Sequence, residues 1–411
     1  MINGKLHVGI GFATGRKSFQ DVLRAYLFHL EESEFLNGPV AMSLFVAYDL
    51  SYSGTTKEDY TRVGSIINDR FVRCNFIGRE DIAAEAQELC SRGVIAKEDV
   101  ETCFGRGYAA QRNIILYKAM QQHVDCLIFI DDDEYPMAVT RSGENALWSG
   151  QHVIEDHVKY LQFSDITNGY HCGYVSPLPA LEFDGIVDEP VFRSFVGALS
   201  SDVLKWDDLK KVMQAGGVTY ADKQVLIDRK ALLVEEEHHS KFITGGNLGI
   251  NLTKKEKVLP FYNPPGARGE DSFLSTCLTG HTVKRIPCYT FHDGFSLYGT
   301  LLHGTLPTRL REINFYDSQA VIRRFSAACT GWIRYKPLYV YITDRPHYRA
   351  VMDGAKAALE AAIPNICAYF NDSAFAGILA ELDRYDGLVQ EHYGQFLHMQ
   401  EVWKAVRDSI C

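Results

Sequence analysis

Cys126-Leu127-Ile128-Phe129-Ile130-Asp131-Asp132-Asp133-Glu134 sets five apolar residues directly before four acidic ones. A continuous aliphatic and aromatic run of this length reads as a buried parallel strand, and open α/β sheets bind their ligands outside the carboxyl ends of the strands. The carboxylates therefore fall where a binding site is expected. Crowded carboxylates repel one another unless a cation joins them. An oxygen-rich cluster suits Mg²⁺ or Mn²⁺, which share their coordination between one or two carboxylates and the phosphates of a substrate. The plainer reading, a solvated acidic turn closing a strand, has to be weighed against the surrounding chain.

Upstream, Leu6 to Phe12 alternates like a strand, and Ser18 to Leu30 carries Val22, Leu23, Tyr26, Leu27 and Leu30 at helical spacing. Met42 to Tyr48 is a second strand candidate ending at Asp49, and Arg70 to Ile77 a third ending at Gly78. Glu80 to Val100 reads as a helical insertion and Arg106 to His123 as a helix leading into the strand before the acidic cluster. Strands alternating with helices imply a parallel sheet. Downstream, strands are expected at His171 to Pro177, Val225 to Leu233 and Val283 to Phe291. Gly245-Gly246-Asn247 is a glycine-rich turn feeding a strand, and Asn263 to Gly269 a mobile Pro/Gly loop. Glu270-Asp271 stand at the mouth of a helix starting near Ser272, and the spacing is largely helical from Leu306 on.

The 411 residues are 46% hydrophobic and 23% charged, enough to bury a sizeable core throughout. A net charge of -10 without any Lys/Arg block argues against a nucleic-acid partner. The N-terminus lacks the apolar segment of a signal peptide and no 18-residue apolar stretch occurs, so the expectation is a cytoplasmic protein. Ten scattered cysteines without a C-x-x-C pair suggest reduced, buried thiols rather than a zinc site or a disulfide framework. Arg323-Arg324, Arg334 and Lys336 among apolar residues leave membrane contact open, with a homo-oligomer interface or a lid as other uses of the C-terminal helices.

The motif order is strand, polar loop, strand ending in Asp49, helix with Arg112-Asn113, Ile-Phe-Ile-Asp-Asp-Asp-Glu, Gly-Gly-Asn, Gly-Glu-Asp and a histidine after a strand. In this it resembles the GT-A glycosyltransferases, most of all those of the family 2 kind, over roughly residues 6–300. The resemblance implies an α/β fold, a GT-A (Rossmann-like) mixed sheet flanked by helices with a mainly helical C-terminal region. It divides the chain into a GT-A domain over 1–303, with a nucleotide-binding half 1–136 and an acceptor-binding half 137–303, and a helical region 304–411. It implies transfer of a sugar from a nucleotide diphosphate donor, UDP- or GDP-linked, to a hydroxyl of a saccharide or small-molecule acceptor.

On the same resemblance Asp133 binds a divalent metal, Mn²⁺ or Mg²⁺, Asp131 contacts the metal or the donor ribose, and Asp132 faces elsewhere. His292 completes the metal site, with His303 in reserve and Asp293 as another candidate. Thr14 and Arg16 after the first strand, and Asp49 after the second, hold base and ribose. Arg112 and Asn113 lie over the nucleotide, and Arg112 meets phosphate or base edges. An inverting transfer needs a carboxylate that takes the proton of the attacking hydroxyl, which points to Asp271 as base and Glu270 as its neighbour orienting the acceptor. Gly246 and Asn247 let the backbone approach the transferred sugar, and Arg268 grips a phosphate as the loop closes. Most of these have a plain alternative: Asp49 a turn former, Arg112 an exposed helix residue, His292 a histidine with a backbone partner, Glu270-Asp271 a helix cap, Gly246 a simple turn. A retaining transferase, a sugar-nucleotide nucleotidyltransferase, a metal-dependent hydrolase and a catalytically silent nucleotide- or carbohydrate-binding module are the competing functions. The glycine content of Gly9-Ile10-Gly11-Phe12-Ala13-Thr14-Gly15-Arg16 departs from the usual first strand and leaves the base open.

Overall fold

Alternation along three buried strands builds the floor of the protein. The computed structural model describes residues 4–51, 54–181, 183, 187–199, 206–299, 301, 304–315 and 318–410. Strand β1 (Leu6–Thr14) pairs in parallel with β2 (Val40–Tyr48), which pairs in parallel with β3 (Arg73–Ile77), while β4 (Cys126–Phe129) lies parallel on the other side of β1. Because successive side chains point to opposite faces, Val8, Ile10, Phe12, Leu44, Val46 and Ile128 enter one core, under the helix Phe19–Glu32. Phe45, Ala47, Leu127 and Phe129 enter the other, under the helix Tyr108–Gln121. Each fully buried Phe or Leu in such a core contributes about 1.5–3 kcal/mol.

Gly9 and Gly11 belong to β1 itself and not to a phosphate loop. A Cβ on Gly9 would stand 3.0 Å from Leu127 Cδ1, and one on Gly11 would stand 3.0 Å from Ile115 Cγ2. The glycines are there because the helix Tyr108–Gln121 and the β4 side chains approach the strand closely. Packing thus accounts for the glycine content that sets this first strand apart.

The second half departs from a purely parallel sheet. After β5 (Glu134–Tyr135) comes a hairpin of β6 (Met137–Ser142) and β7 (Asn145–Gly150), then β8 (Ile166–Gly173), the two-residue β9 (Leu232–Leu233), β10 (Leu248–Asn251) and β11 (Val283–His292). The sheet order is β3-β2-β1-β4-β10-β8-β11-β5, with β9 on β11; β10 runs antiparallel to both β4 and β8, and β5 antiparallel to β11. The fold is thus the mixed sheet flanked by helices, followed by a helical C-terminal region, that the resemblance implies. Two expected strands shift. His171–Pro177 is the end of β8, which starts at Ile166 and stops at Gly173. Val225–Leu233 is mostly the helix Lys223–Asp228, because Asp222 Oδ1 accepts the Gln224 N–H at 2.7 Å and caps it; only Leu232–Leu233 is extended.

The C-terminal helices Gln319–Thr343, Tyr348–Phe370, Gly377–Gly387 and Val389–Asp408 pack into both cores, Phe325 and Leu359 into the first, Leu338, Met399 and Trp403 into the second. Among the described residues every cysteine is free, and no helix is long and apolar enough to cross a membrane.

Candidate active site

The ends of β1, β4 and β11 open into a cleft of about 770 Å³, walled on the far side by the helix Gln319–Thr343. Of the residues expected to act, Arg16, Arg112, Asp131, Asp133, Arg268, Glu270, Asp271 and His292 line it together, and Asp132 joins them. Thr14, Asp49, Asn113, Gly246 and Asn247 do not line it, and His303 lies outside the described residues.

Arg16 ties the acidic turn to β1. Its Nη1 donates to Asp133 Oδ2 at 2.7 Å and to Asp132 Oδ1 at 3.2 Å, while the Thr14 hydroxyl donates to Asp132 Oδ2 at 2.5 Å. Asp132 therefore does not face away: it is buried and braces the end of β1, because Thr14 and Arg16 supply its donors. Burial pushes Asp131 and Asp132 above the ordinary carboxylate range. Burial also acts on Asp133, but His292 and Arg16 outweigh it and hold that carboxyl low.

His292, the last residue of β11, donates from Nδ1 to the Tyr174 carbonyl at 2.9 Å, which leaves Nε2 facing Asp133 Oδ1 at 3.4 Å. With the Nδ1 proton committed to a carbonyl, a neutral ring directs a lone pair from Nε2 toward a carboxylate. That arrangement is repulsive unless the ring is charged or a cation sits between the two, and backbone anchoring of the other nitrogen is the usual device for aiming a ligating histidine. The donor set of imidazole and carboxylate fits a divalent cation. Among the described residues no three His, Cys, Asp or Glu side chains converge on a ready-made metal position, so remaining coordination would have to come from phosphate oxygens and water. Asp293 instead closes a turn, accepting the N–H groups of Leu297 and Tyr298 at 2.9 and 2.7 Å.

Arg112 is a buried strut. Its guanidinium lies between the rings of Phe129 and Phe261, at 5.0 and 5.5 Å, and donates to the Gly245 carbonyl at 2.6 Å and to Asp131 Oδ1 at 3.0 Å, with Nε 3.5 Å from Glu270. It thus links the acidic turn after β4 to the Glu270-Asp271 wall. Asn113 exchanges hydrogen bonds with the backbone of Phe261 at 3.0 and 2.8 Å. Asp49 Oδ1 accepts the Ser51 N–H at 2.8 Å and shapes the turn after β2.

The turn before β10 presses on the acidic cluster. Glu134 is fully buried and pairs with His171 Nε2 at 2.8 Å, and a Cβ on Gly246 would overlap its carboxylate. Gly246→Ala should therefore cost about 1–3 kcal/mol of stability, the usual price of overpacking, read as a lower melting temperature. A variant that melts like the wild type and loses only activity would assign Gly246 to substrate contact instead.

Asn247, at φ 46°, is held by His157: Nε2 of the ring lies 2.9 Å from Asn247 Oδ1 and Nδ1 lies 2.7 Å from the Thr167 hydroxyl. Burial lowers His157 from 6.5 to about 4. Between those values the unfolded chain takes up a proton that the folded ring refuses, so this contribution is complete above about pH 6.5 and is lost as pH falls through about 4. Melting temperature should decline over that window, and more shallowly in His157→Gln; parallel curves would exclude His157 as the cause.

Glu270 and Asp271 open the helix Glu270–Thr276, whose N-cap Gly269 sits at φ 92°. Asp271 Oδ2 accepts the Gly245 N–H and Oδ1 its neighbour's at Ser272, both at 2.9 Å. Two such bonds, one on each oxygen, fix its orientation at the edge of the cleft. Burial, and next Asp271, push the Glu270 carboxyl up. The preceding loop, expected to be mobile, is anchored: Arg334 donates to Gly266 O at 2.9 Å while gripping Glu381 at 2.8 and 3.0 Å, and the Tyr385 hydroxyl donates to Pro265 O at 2.6 Å. The helices that supply these anchors are too distant in sequence for composition to reveal them.

Neither a family model nor a curated protein matches this chain. Among solved structures it is similar to the apo form of mouse xyloside xylosyltransferase 1, at 15% identity and a TM-score of 0.20, over 46% of this chain and 57% of that one. The chain thus spans a little over half the length of that protein. The geometry of the cleft itself carries the functional reading.

Sequence reasoning missed Arg324, which reaches the cleft from the C-terminal helix and stacks over Phe295 with 4.2 Å between its carbon and the ring centroid. The available signal was phase: Arg324 shares a helical face with Ala327, Ala328 and Gly331, small residues that suit a wall beside open space.

Proposed function

We propose that this protein is a glycosyltransferase that moves a sugar from a nucleoside diphosphate donor to a hydroxyl acceptor with inversion at the anomeric carbon. The observation that carries this reading is that one cleft unites Asp131, Asp133 and His292 with three guanidinium groups, Arg16, Arg268 and Arg324, and with the carboxylates of Glu270 and Asp271. The cationic groups match a diphosphate, whose negative charge grows as it leaves, and the Glu270-Asp271 wall matches a hydroxyl that must lose its proton. Asp271 accepts that proton as the hydroxyl oxygen bonds to the anomeric carbon, and the carbon–oxygen bond to the diphosphate breaks with its electron pair leaving on the diphosphate. Glu270, held near Arg112, orients the acceptor. Asp133 and His292, with Asp131, are the residues that would hold Mn²⁺ or Mg²⁺. Bound there, the ion would supply positive charge to the leaving diphosphate.

The test is thermal stability against a panel of nucleoside diphosphates and their sugars, with and without Mn²⁺. A ligand at a hundredfold excess over its dissociation constant adds about 2.7 kcal/mol of stability. A metal-dependent shift with one nucleoside diphosphate supports the reading and names the base. No shift with any of them removes it.

A further inference from the structure

The short strand β9 (Leu232–Leu233) pairs with β11 and, among the described residues, with no other strand. Leu233 stands opposite Lys284 and Leu232 opposite Arg285, and the Val234 N–H donates to the Val283 carbonyl at 2.9 Å. Antiparallel ladders alternate between residues that exchange hydrogen bonds with the partner strand and residues that do not. Leu232 and Val234 therefore face β11, while the N–H and C=O of Leu233 between them point off the sheet, where no described residue takes them up. The two leucines point to opposite faces of the strand, yet both are more than half exposed, at 55% and 56%. Strand β9 thus meets solvent on both faces as well as along its edge. Exposed Phe163, whose ring centroid lies 5.8 Å from Lys284 Nζ, and exposed Ile227, on the helix leading into β9, add apolar surface nearby.

We infer that this edge pairs with the same edge of a second copy of the chain, antiparallel about a two-fold axis at Leu233. An unpaired apolar edge is a template for strand addition unless flanking residues restrict what can join it. Here the restriction is directional: Arg229-Lys230 precede the leucines and Glu235-Glu236-Glu237 follow them, all exposed. Parallel pairing in register sets lysine on lysine and glutamate on glutamate, which is repulsive. Antiparallel pairing that joins the outward N–H and C=O of Leu233 to those of the partner's Leu233 sets Lys230 opposite the partner's Glu236, Arg229 opposite the partner's Glu237 and Leu232 opposite the partner's Val234. Each chain carries both the basic and the acidic half of this pattern, so its charge complement is a copy of itself. Among the described residues Lys230, Glu235 and Glu237 belong to no ion pair, Arg229 only approaches Asp156 at 3.5 Å, and Glu236 accepts the Thr279 hydroxyl at 3.0 Å. The two-fold closes the assembly at two chains, because pairing occupies this edge in both. The pairing does not depend on the activity of the cleft.

The test is the molar mass of the full chain, measured by sedimentation equilibrium across a dilution series. The wild type should pass from monomer to dimer as concentration rises, and added salt should move the transition to higher concentration. Lys230→Glu and Glu236→Lys should each weaken the dimer by roughly tenfold or more, because one substitution turns two symmetry-related ion pairs into repulsions. The double variant carrying both reversals should restore it. Lys404→Glu, the same charge change at an exposed position of the helix Val389–Asp408, should dimerise as the wild type does. Leu233→Pro removes the outward N–H and leaves the ladder to β11 in place, since proline is tolerated on an edge strand; it should remain monomeric where the wild type is dimeric. If Leu233→Pro folds poorly, the charge reversals decide, since those side chains are exposed. A dimer indifferent to Lys230→Glu, or a double variant no tighter than the single ones, overturns the pairing. Mass that grows past two chains overturns the two-fold arrangement. A wild type that is monomeric at every concentration overturns self-pairing and leaves the edge to a strand of another protein.

Discussion

Asp271→Asn should lower kcat by roughly 10²–10⁴-fold, the range for loss of a positioned general base, while nucleoside diphosphate binding in the presence of Mn²⁺ stays within about twofold of the wild type. The substitution keeps the shape of the side chain but removes its basicity. The orientation of Asp271 comes from the N–H groups of Gly245 and Ser272, one on each oxygen. An asparagine satisfies only one of the two, so a loss of about 1–3 kcal/mol in stability accompanies the kinetic effect and must be measured beside it. The separation of kcat from nucleotide binding is what distinguishes a base from a helix cap. A cap would lower stability and leave the chemistry of the folded fraction intact. Full activity in Asp271→Asn with activity lost in Glu270→Gln would move the proton acceptor one residue back. Full activity in both would remove the inverting mechanism.

Asp133→Asn should abolish the metal-dependent part of nucleoside diphosphate stabilisation and lower activity at least about a hundredfold, given that a bound cation supplies several kcal/mol of charge stabilisation at a leaving group. Asp133 is the carboxylate on which Arg16 and His292 converge, at 2.7 and 3.4 Å. Removing its charge takes away the anionic partner of the outward-facing imidazole nitrogen, while Arg16 retains Asp132. Asp131→Asn should be milder for nucleotide affinity, because Arg112 also serves the Gly245 carbonyl and Glu270 and stays anchored. The comparison is made by thermal shift with and without Mn²⁺ on the same preparations. A metal-dependent shift that survives in Asp133→Asn would place any cation elsewhere.

Much of the site could be read from local pattern because the chemistry lies at strand ends, and strand ends are marked in sequence by a change from apolar to charged residues. That marked Asp131 and Asp133, whereas His292 and the Glu270-Asp271 pair, which opens a helix, were nominated by the GT-A resemblance; spread over about 160 positions, all are found lining one cleft. What local pattern could not supply is which face a residue takes. Arg112 has the charge of a phosphate binder, yet it is buried at the cleft wall between Phe129 and Phe261, with its donors on Gly245 and Asp131. Gly246 sits in a turn whose form any ligand-facing loop could share, but its lack of a side chain is used against Glu134. Asp132 is set apart from Asp131 and Asp133 by the Thr14 hydroxyl, which is more than a hundred residues away.

Composition and periodicity alone determined the α/β class, the position of the acidic turn after β4, the helix that opens at Glu270 and the helical character of the last hundred residues, since each depends on the preferences of neighbouring residues. The tertiary structure decided the antiparallel insertion of β10, the burial of Arg112 and the union of the C-terminal helices with the cleft through Arg324, Arg334 and Tyr385. Those outcomes are set by side chains that meet only when distant segments pack, and the contact energy that selects them is absent from any short stretch of chain.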